Sequence, residues 1–479
     1  MTAWQSILEE RFGFPSLRPL QDEIVTQVMG GGDALVVMPT GSGKSLCYQL
    51  PALAMPGEGT TLVFSPLIAL MEDQVAALKA KGIRAEYINS SLRRDERERR
   101  YAKVAEGAYE LIYATPERLL MEEFRAALDA RPGGITKAIK LLAVDEAHCI
   151  TKWGHDLRPA YRHVGRFREM LGCPPTIALT ATATRPVRED IRRVLGIAEA
   201  DMPLFAAPLE RPNLRLEATD VWDDADKVDR IRRVADGLPG TGIVYFALIK
   251  HLDAMAVDIR RALPDPRVEI SHGKLPPERK QAVYDDLISA DPDEGLLLLA
   301  TTAFGMGVDK ADIRFVLHTQ VPRTLEAWTQ EVGRAGRDGK PSWCELVYFQ
   351  EDVAIQQNFV EWANPTLEYM VGVYETIRSW GERVATKDLD DLRDELLIKN
   401  RADNRVSITL RWLEVLGVID GSFETHDLRV VRPLDPKELP EWIQTGVKRE
   451  FDLKSLLSMM QFSKNDEVCR RKLLAKHFD

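Results

Sequence analysis

The sequence predicts an α/β protein with two successive parallel-sheet domains and a mostly helical C-terminal region. Between residues 34 and 349, short continuous apolar runs alternate with amphipathic helical segments, as in parallel sheets covered by helices on both faces. A proline-containing segment at residues 210–213 is suited to a linker and separates this region into two blocks. The predicted boundaries are 1–207 and 208–350 for the sheet domains, 351–435 for a third domain and 436–479 for a helical tail.

Composition limits the class of protein. The chain has 479 residues, too many for one hydrophobic core, and a formal net charge of −10 at pH 7. The acidic balance disfavours nucleic acid wrapped over the whole surface but leaves a local basic groove open. Its apolar runs fall short of the ~20 residues that a membrane helix needs, and the sequence shows no apolar segment typical of a signal peptide. We therefore expect no membrane association and a cytoplasmic location, associated with the nucleoid if the source is bacterial.

Apolar runs in the first block predict six strands, at residues 34–38, 61–65, 86–88, 111–114, 141–144 and 176–179. Directly after the first of them comes a glycine-rich loop, Thr40-Gly41-Ser42-Gly43-Lys44-Ser45. Glycine lets backbone N–H groups approach a phosphate chain, so the loop predicts nucleotide binding. Lys44 is expected to reach the β- and γ-phosphates and the Ser45 hydroxyl to hold Mg²⁺. Met38 stands where such loops usually begin with glycine.

The helical segment before this loop carries a candidate adenine pocket. Phe14 or Arg18 could stack on the base, and the amide of Gln21 could pair with both its donor and its acceptor. The alternative is an ordinary N-terminal helix that places Phe12 and Phe14 in the core.

Two adjacent carboxylates, Asp145 and Glu146, follow the strand at 141–144. In a sheet that also carries a phosphate loop, Asp145 suits Mg²⁺ coordination and Glu146 suits orientation of the attacking water. Ligands of such sheets bind at the carboxyl ends of the strands. The alternative is a solvated strand end, which the phosphate loop in the same block makes less plausible.

The second block has predicted strands at 242–246, 268–271, 295–300, 315–319 and 345–349, without a phosphate loop of its own. An amphipathic helix there is followed by Gln330-Glu331-Val332-Gly333-Arg334-Ala335-Gly336-Arg337. Arg334 and Arg337 are suited to act as arginine fingers that reach a nucleotide bound by the first block. Alternatively, they are solvated arginines that cap a helix end.

Together these motifs resemble the superfamily 2 helicases, and specifically the RecQ family of DNA helicases, over roughly residues 10–350. The resemblance also rests on the segments 46–49, 65–71, 147–150 and 303–307, and the family tolerates a non-glycine residue at Met38. It implies two RecA-like domains that use ATP and Mg²⁺. Lys44, Asp145 and Glu146 would form the hydrolytic core, Gln330 would position the γ-phosphate or water, and Thr180 and Thr182 would link hydrolysis to motion.

The segment Trp153-Gly154-His155-Asp156-Leu157-Arg158-Pro159-Ala160-Tyr161 looks like the family's aromatic-rich loop, which couples single-stranded DNA to ATP hydrolysis. Trp153 and Tyr161 offer aromatic faces to unstacked bases, with Arg158 and His155 beside them. Leu157 replaces the usual phenylalanine, which removes one stacking platform. The resemblance also places four residues on the DNA-backbone side: Ser65, Thr115, His272 and Thr301.

Beyond residue 350 the chain departs from the family's usual tail. Asn364-Pro365 is predicted to begin a helix that runs to Trp380, followed by helices at 387–398 and 407–416, with Gly417 as a left-handed cap, and strands at 418–420 and 428–431. Three helices and a hairpin resemble a winged helix, in which four basic residues could meet duplex phosphates: Lys399, Arg401, Arg405 and Arg411. The alternative is a packing domain without DNA contacts.

The five cysteines, Cys47, Cys149, Cys173, Cys344 and Cys469, show no CxxC spacing. The segment at Cys469 resembles the start of the family's zinc module, but one cysteine cannot form a tetrahedral site, so we expect no zinc site.

The resemblance therefore implies a monomeric ATP-dependent motor that moves 3′ to 5′ on single-stranded DNA and unwinds duplexes at single/double-strand junctions in repair or recombination. Two alternatives remain open: an RNA helicase, and a DNA-binding scaffold that does not unwind.

Overall fold

A computed structural model describes residues 4–66, 68–89, 92–151, 159–208, 210–263, 267–291, 295–302, 304, 310–400, 403–423 and 426–478. The chain forms two compact units, Met1–Phe349 with Gln461–Asp479, and Gln350–Met460. Among the helices within these ranges, none is long and apolar enough to cross a membrane.

The first sheet consists of β1 Ala34–Val37, β2 Thr60–Phe64, β3 Ala85–Ile88, β4 Leu111–Ala114, β5 Ile139–Val144, β6 Thr176–Thr180 and β7 Leu204–Ala206. All pairings are parallel, and the strand order is β3-β4-β2-β5-β6-β1-β7. Six of these strands coincide with predicted apolar runs. The sequence did not predict β7, because this edge strand has only three residues and two of them are exposed.

Helices cover both faces of this sheet. They are α1 Gln5–Ile7, α2 Pro19–Met29, α3 Leu46–Ala54, α4 Ile68–Ala80, α5 Arg94–Ala105, α6 Glu122–Asp129, α7 Ile135–Ala138, α8 Val164–Met170 and α9 Arg185–Leu195. Leu35 and Val37 of β1 belong to one hydrophobic cluster, whereas Ala34 and Val36 belong to another. Since successive strand residues point to opposite faces, the sheet is buried on both sides, which explains the continuous apolar runs.

The second sheet consists of β8 Leu214–Asp220, β9 Thr241–Phe246, β10 Arg267–Ser271, β11 Leu296–Thr301, β12 Ile313–His318 and β13 Ser342–Tyr348. It is also parallel, in the order β10-β11-β9-β12-β13-β8. The sequence did not predict β8, an edge strand whose side chains are mostly half-buried and which lacks an apolar run. The two parallel sheets confirm the predicted fold class.

The remaining α-helices of the described residues are α10 Asp224–Gly237, α11 Ile249–Ala262, α12 Pro277–Ser289, α13 Leu325–Val332, α14 Val353–Ala363, α15 Leu367–Trp380, α16 Leu389–Glu395, α17 Arg405–Val415, α18 Glu441–Thr445, α19 Val447–Ser463 and α20 Arg470–Phe478. Of these, α13 matters most for the site. Its first turn is capped by the Thr324 hydroxyl, which accepts a hydrogen bond from the Ala327 N–H at 3.1 Å.

Helix α20 packs against both sheet domains. Nη2 of Arg471 donates to the carbonyls of Pro212 and Leu214 at 3.0 and 2.8 Å, beside the second sheet. At the other end of the helix, the Phe478 carbonyl accepts from Arg188 of α9 at 3.4 Å. Cys469, just before α20, is exposed, and no group of three His, Cys, Asp or Glu side chains in the described part of the chain could hold a metal ion.

The unit Gln350–Met460 contains α15, α16 and α17 around a shared core, with the two-stranded antiparallel hairpin β14 Ile419–Asp420 and β15 Arg429–Val430. Gly417 has φ +69°, which confirms the predicted left-handed cap. The predicted cap at Asn364 is wrong. Its amide donates to Val360 and Asp452 at 2.8 Å each, and the Thr366 hydroxyl caps α15 instead, accepting from Tyr369 at 3.2 Å. The winged-helix assignment stays a prediction.

The basic residues proposed for duplex contacts in this unit differ in their surroundings. Lys399 and Arg411 are exposed. Arg405 forms an ion pair with Asp403 and lies over the ring of Tyr369, 4.6 Å from the ring centroid. A phosphate would therefore compete with Asp403 for this guanidinium, and the duplex contact of Arg405 stays a prediction. Arg401 lies outside the described residues.

Candidate nucleotide site

The loop between β1 and α3 has the backbone of a phosphate-binding loop. Gly41 and Gly43 adopt φ angles of +79° and +85°, in the left-handed region that favours glycine. Lys44 donates from Nζ to the Met38 carbonyl at 3.0 Å, and the Ser42 hydroxyl donates to Pro39 at 2.5 Å. Met38 has no positive φ and its side chain is buried in the core, so glycine is not required there.

The segment before the loop is bonded directly to it. The Gln21 amide donates to the carbonyls of Ser42 and Gly43 at 3.2 and 3.3 Å, and its oxygen accepts from the Arg18 N–H at 3.0 Å. Arg18 also donates to Ser42 at 3.2 Å through Nη1. A Cβ on Gly43 would lie 2.5 Å from Nε2 of Gln21, so glycine is needed for this approach.

Phe12 and Phe14 have different environments. Phe12 is buried in the core, whereas Phe14 is 51% exposed and lines the same cleft as the loop. The alternative in which both rings pack in the core therefore fails for Phe14. Its exposed ring is placed where a flat base could stack on it.

The carboxylates Asp145 and Glu146 lie where β5 ends. Asp145 continues the sheet by donating its N–H to Phe64 at 2.8 Å, and its carboxylate accepts the Glu146 N–H at 3.0 Å. Glu146 has φ +48°, a left-handed conformation that is uncommon outside glycine. Burial and the neighbouring Glu146 raise the pKa of Asp145, and Lys44 opposes that shift.

His148 connects these carboxylates to the next strand, a role that the sequence did not indicate. Its Nδ1 lies 3.0 Å from Thr180 Oγ1 and 3.3 Å from Glu146 Oε2. The Thr180 hydroxyl in turn donates to the Thr182 carbonyl at 3.0 Å. Thr180 and Thr182 are thus joined through His148 to Glu146.

The second sheet domain supplies the other wall of the cleft. Gln330, Arg334 and Arg337 line the same cavity of about 430 Å³ as the phosphate loop and the two carboxylates. The guanidinium of Arg337 lies so close to Gly41 that a Cβ there would be 2.7 Å from Nε. Burial, with the charge of Arg337 in addition, lowers the pKa of Lys44, and Glu146 and Asp145 oppose this change.

The interdomain segment holds the arginine-bearing loop in place. Nη2 of Arg211 donates to the carbonyls of Ala335 and Gly336 at 2.9 and 2.7 Å, and the Asn213 amide donates to Gly336 at 2.8 Å. The sequence indicated only a linker here, because hydrogen bonds between residues more than 120 positions apart leave no local pattern.

The four residues predicted on the DNA-backbone side, all within the described ranges, lie at the carboxyl ends of strands, and none of the four lines the nucleotide cleft. Ser65 and Thr115 follow β2 and β4, His272 follows β10, and Thr301 ends β11. Ser65 and Thr301 are buried, and the His272 side chain is 11% exposed, with Nε2 3.8 Å from Asp253.

The aromatic-rich loop is described only in part, since Trp153, His155, Leu157 and Arg158 lie outside the described residues. Tyr161 is fully buried in the first-domain core. Its ring offers no face to a base, and the expectation that it stacks on DNA is corrected.

Comparison with known proteins identifies both sheet domains. Residues 18–190 match the DEAD/DEAH box helicase family and residues 226–339 match the helicase conserved C-terminal domain. In solved structures, the fold is similar to the DUF1998 helicase MrfA bound to DNA, with a TM-score of 0.60 and 18% identity over 90% of this chain and 63% of that one. It is also similar to Mycobacterium smegmatis helicase Lhr bound to ssDNA and AMP-PNP, with a TM-score of 0.55 and 20% identity over 94% and 60% of the two chains.

Sequence relatives are closer. The chain is 38% identical over 398 residues to the probable ATP-dependent DNA helicase RecS of Bacillus subtilis, covering 83% of this chain and 76% of the relative. It is 41% identical over 359 residues to the ATP-dependent DNA helicase RecQ of the same organism, covering 74% of this chain but 58% of that protein. It is 37% identical over 362 residues to ATP-dependent helicase SGS1 of Saccharomyces cerevisiae, of which it covers 24%. The motifs, the two parallel sheets and these identities together show that the chain belongs to the RecQ family of helicases.

Proposed function

We propose that this chain is an ATP-dependent DNA helicase that hydrolyses ATP between its two sheet domains and uses the cycle to move along single-stranded DNA. One observation carries the proposal: a single cleft is lined by Lys44, Asp145 and Glu146 of the first domain and by Arg334 and Arg337 of the second. A site divided in this way is completed only when the domains meet, so ATP binding and release can drive their relative motion.

The phosphates would lie on the loop Thr40–Ser45, whose backbone N–H groups and helix α3 favour negative charge. Lys44 would exchange the Met38 carbonyl for the β- and γ-phosphates. The Ser45 hydroxyl and the Asp145 carboxylate line the same cleft, and such hard oxygen donors fit Mg²⁺, which they would hold. When bound, Mg²⁺ neutralises charge on the phosphate oxygens.

Hydrolysis is assigned to groups on both sides of the γ-phosphate. Glu146 would orient the attacking water and accept its proton, with His148 beside the carboxylate. From the opposite wall, Arg334 and Arg337 would stabilise the charge that develops on the transferred phosphoryl group, and Gln330 would position it.

Adenine would bind in the part of this cleft that is formed by residues preceding the phosphate loop. Phe14 and Arg18 line it, and the ring of Phe14 is exposed for stacking. Because the Gln21 amide is bonded to the phosphate loop, pairing of Gln21 with adenine would couple base recognition to loop conformation.

The DNA backbone would cross the carboxyl ends of the strands, at Ser65 and Thr115 on the first sheet and at His272 and Thr301 on the second. Trp153, His155 and Arg158 of the aromatic-rich loop would contact the DNA, with Trp153 stacking on a base. The family resemblance supports movement in the 3′ to 5′ direction by a monomer, and duplex unwinding at single/double-strand junctions during repair or recombination, in the cytoplasm. Relatives that are named DNA helicases support the choice of DNA over RNA.

Unwinding of tailed duplexes tests this proposal. Duplexes with a 3′ single-stranded tail, a 5′ tail or no tail are incubated with ATP and Mg²⁺, with an RNA 3′-tailed duplex as a fourth substrate. We expect strand separation on the 3′-tailed DNA duplex and none by Lys44→Ala. Preference for the 5′ tail would reverse the assigned direction, and preference for RNA would overturn the assigned substrate. DNA binding without any strand separation would support the scaffold alternative.

A further inference from the structure

Arg334 is a buried cation that forms no ion pair with a carboxylate of the described residues. It is 3% exposed, and its Nε and Nη1 atoms find no hydrogen-bond acceptor among the described residues. Such a group is costly to keep, because its solvation is lost without compensation. A carboxylate within reach would ordinarily form a short charge-assisted pair with it.

Glu331, which stands three residues earlier, is a carboxylate of this kind. Residues three apart on a helical turn are neighbours, and the Arg334 N–H donates to the Glu331 carbonyl at 3.3 Å. Both side chains lie near the buried hydroxyl of Tyr245. Burial raises the pKa of Tyr245 to about 12, Arg334 opposes that rise, and Glu331 adds to it. Yet Arg334 lines the nucleotide cleft and Glu331 does not.

His318 holds the Glu331 carboxylate. Its Nε2 lies 2.7 Å from Glu331 Oε2, and since an ionised carboxylate only accepts, Nε2 carries the proton and donates. The ring is 2% exposed and stacks on Tyr245, with centroids 5.3 Å apart and planes inclined by 27°. His318 ends β12 and is paired in register with Tyr245 of β9, so both the strand and the stack fix the ring.

We propose that His318 is a positioning residue that keeps the Glu331 carboxylate away from Arg334, so that the guanidinium remains unpaired for the γ-phosphate. This inference rests on the proposed ATPase function. In this inference, Glu331 competes with the γ-phosphate for the Arg334 guanidinium, and His318 prevents that competition. The sequence did not indicate this pair, because the two residues carry no motif that links β12 to α13.

The test uses ATP turnover stimulated by single-stranded DNA, with the Kd for ATP measured separately. His318→Phe keeps an aromatic ring for the stack on Tyr245 but removes the donor, which frees Glu331 to pair with Arg334. Because an arginine finger contributes about 10³-fold or more, we expect its neutralisation to lower kcat by about 10²-fold with little change in the Kd. His318→Gln, whose amide can still donate, should retain most of kcat.

The double variant decides the question. In His318→Phe/Glu331→Gln the competing charge is gone, so most of the lost kcat should return. Glu331→Gln alone should remain close to wild type, since its amide oxygen still accepts from His318. His477→Phe is the matched control. It breaks a second His–Glu bond of 2.7 Å, to Glu326 on the same helix α13, and should lower the melting temperature without the selective fall in kcat.

Recovery in the double variant, which a purely structural role of His318 would not produce, supports the inference. An active wild type whose double variant is as slow as His318→Phe would overturn the inference but not the proposed function. Equal losses of kcat in His318→Phe and His477→Phe would also overturn it. A wild-type chain without DNA-stimulated turnover would overturn the proposed function and this inference with it.

Discussion

Lys44 and Asp145 are ionisable side chains in one cleft whose protonation equilibria are both displaced toward the neutral form. Burial lowers the pKa of Lys44 and raises that of Asp145, and each group partly offsets the shift of the other. Adding a polyanionic phosphate chain and a divalent cation would supply the charges that favour the ionised forms of both. The electrostatics of the two residues therefore fit a ligand that carries both signs of charge.

Replacing Lys44 tests this interpretation at a single residue. Lys44→Ala should abolish ATP turnover, because the transferred phosphoryl group loses the ammonium that offsets its charge. Lys140→Ala is the matched control. Burial also lowers the pKa of Lys140, and its ammonium group likewise donates to a backbone carbonyl, that of Met55 at 3.2 Å. Lys140 does not line the cleft. Turnover and melting temperature are measured for both variants. Turnover in a folded Lys44→Ala protein would remove the assignment.

Residues of the nucleotide site were predictable from the sequence where they belong to short motifs. The structure brings Lys44, Asp145, Arg334 and Arg337 to one cleft because each follows a strand or helix that the apolar pattern already located. The role of His318 was not predictable, since its contact with Glu331 joins strand β12 to helix α13 and no sequence motif links the two. Tyr161 was assigned to DNA from its aromatic character, but the pattern of a short loop does not show which rings turn inward.

Among the larger elements, the strands that were predicted correctly are the buried ones. Their continuous apolar runs reflect burial on both faces of a parallel sheet. The edge strands β7 and β8 have one neighbour each and partly exposed side chains, so their residues alternate or are too few to stand out. The linker residues Arg211 and Asn213 directly precede β8, and both donate hydrogen bonds to the Gly336 carbonyl of the arginine loop.

The aromatic-rich loop is the element on which DNA stimulation is predicted to depend. A stacked base contributes about 1–3 kcal/mol, enough to bias a two-state loop about tenfold or more. Trp153→Ala should therefore keep the DNA-free ATPase and lose most of its stimulation by single-stranded DNA. Tyr161→Ala, which removes a core ring, should instead lower the melting temperature and both rates together. Full stimulation in a folded Trp153→Ala protein would exclude a coupling role for this side chain.

In the unit that carries both sheets, two similar domains make unequal contributions to one site. The first domain supplies the phosphate loop and the carboxylates, and the second supplies the arginines and Gln330. Arg337 approaches Gly41 closely, because the absence of a side chain on Gly41 leaves room for the guanidinium. This division predicts that the second domain contributes to the rate of hydrolysis far more than to the affinity for ATP.

ATP turnover and ATP affinity of Arg337→Ala, measured on one preparation with saturating single-stranded DNA, test that claim most directly. Arg232→Ala serves as the control, because it removes an arginine from the same domain that is paired with Asp229 outside the cleft. We predict that kcat of Arg337→Ala falls by about 10³-fold or more while its Kd for ATP changes much less. A variant that loses ATP binding with kcat unchanged, or that turns over ATP at the wild-type rate, would contradict a site completed across the two domains.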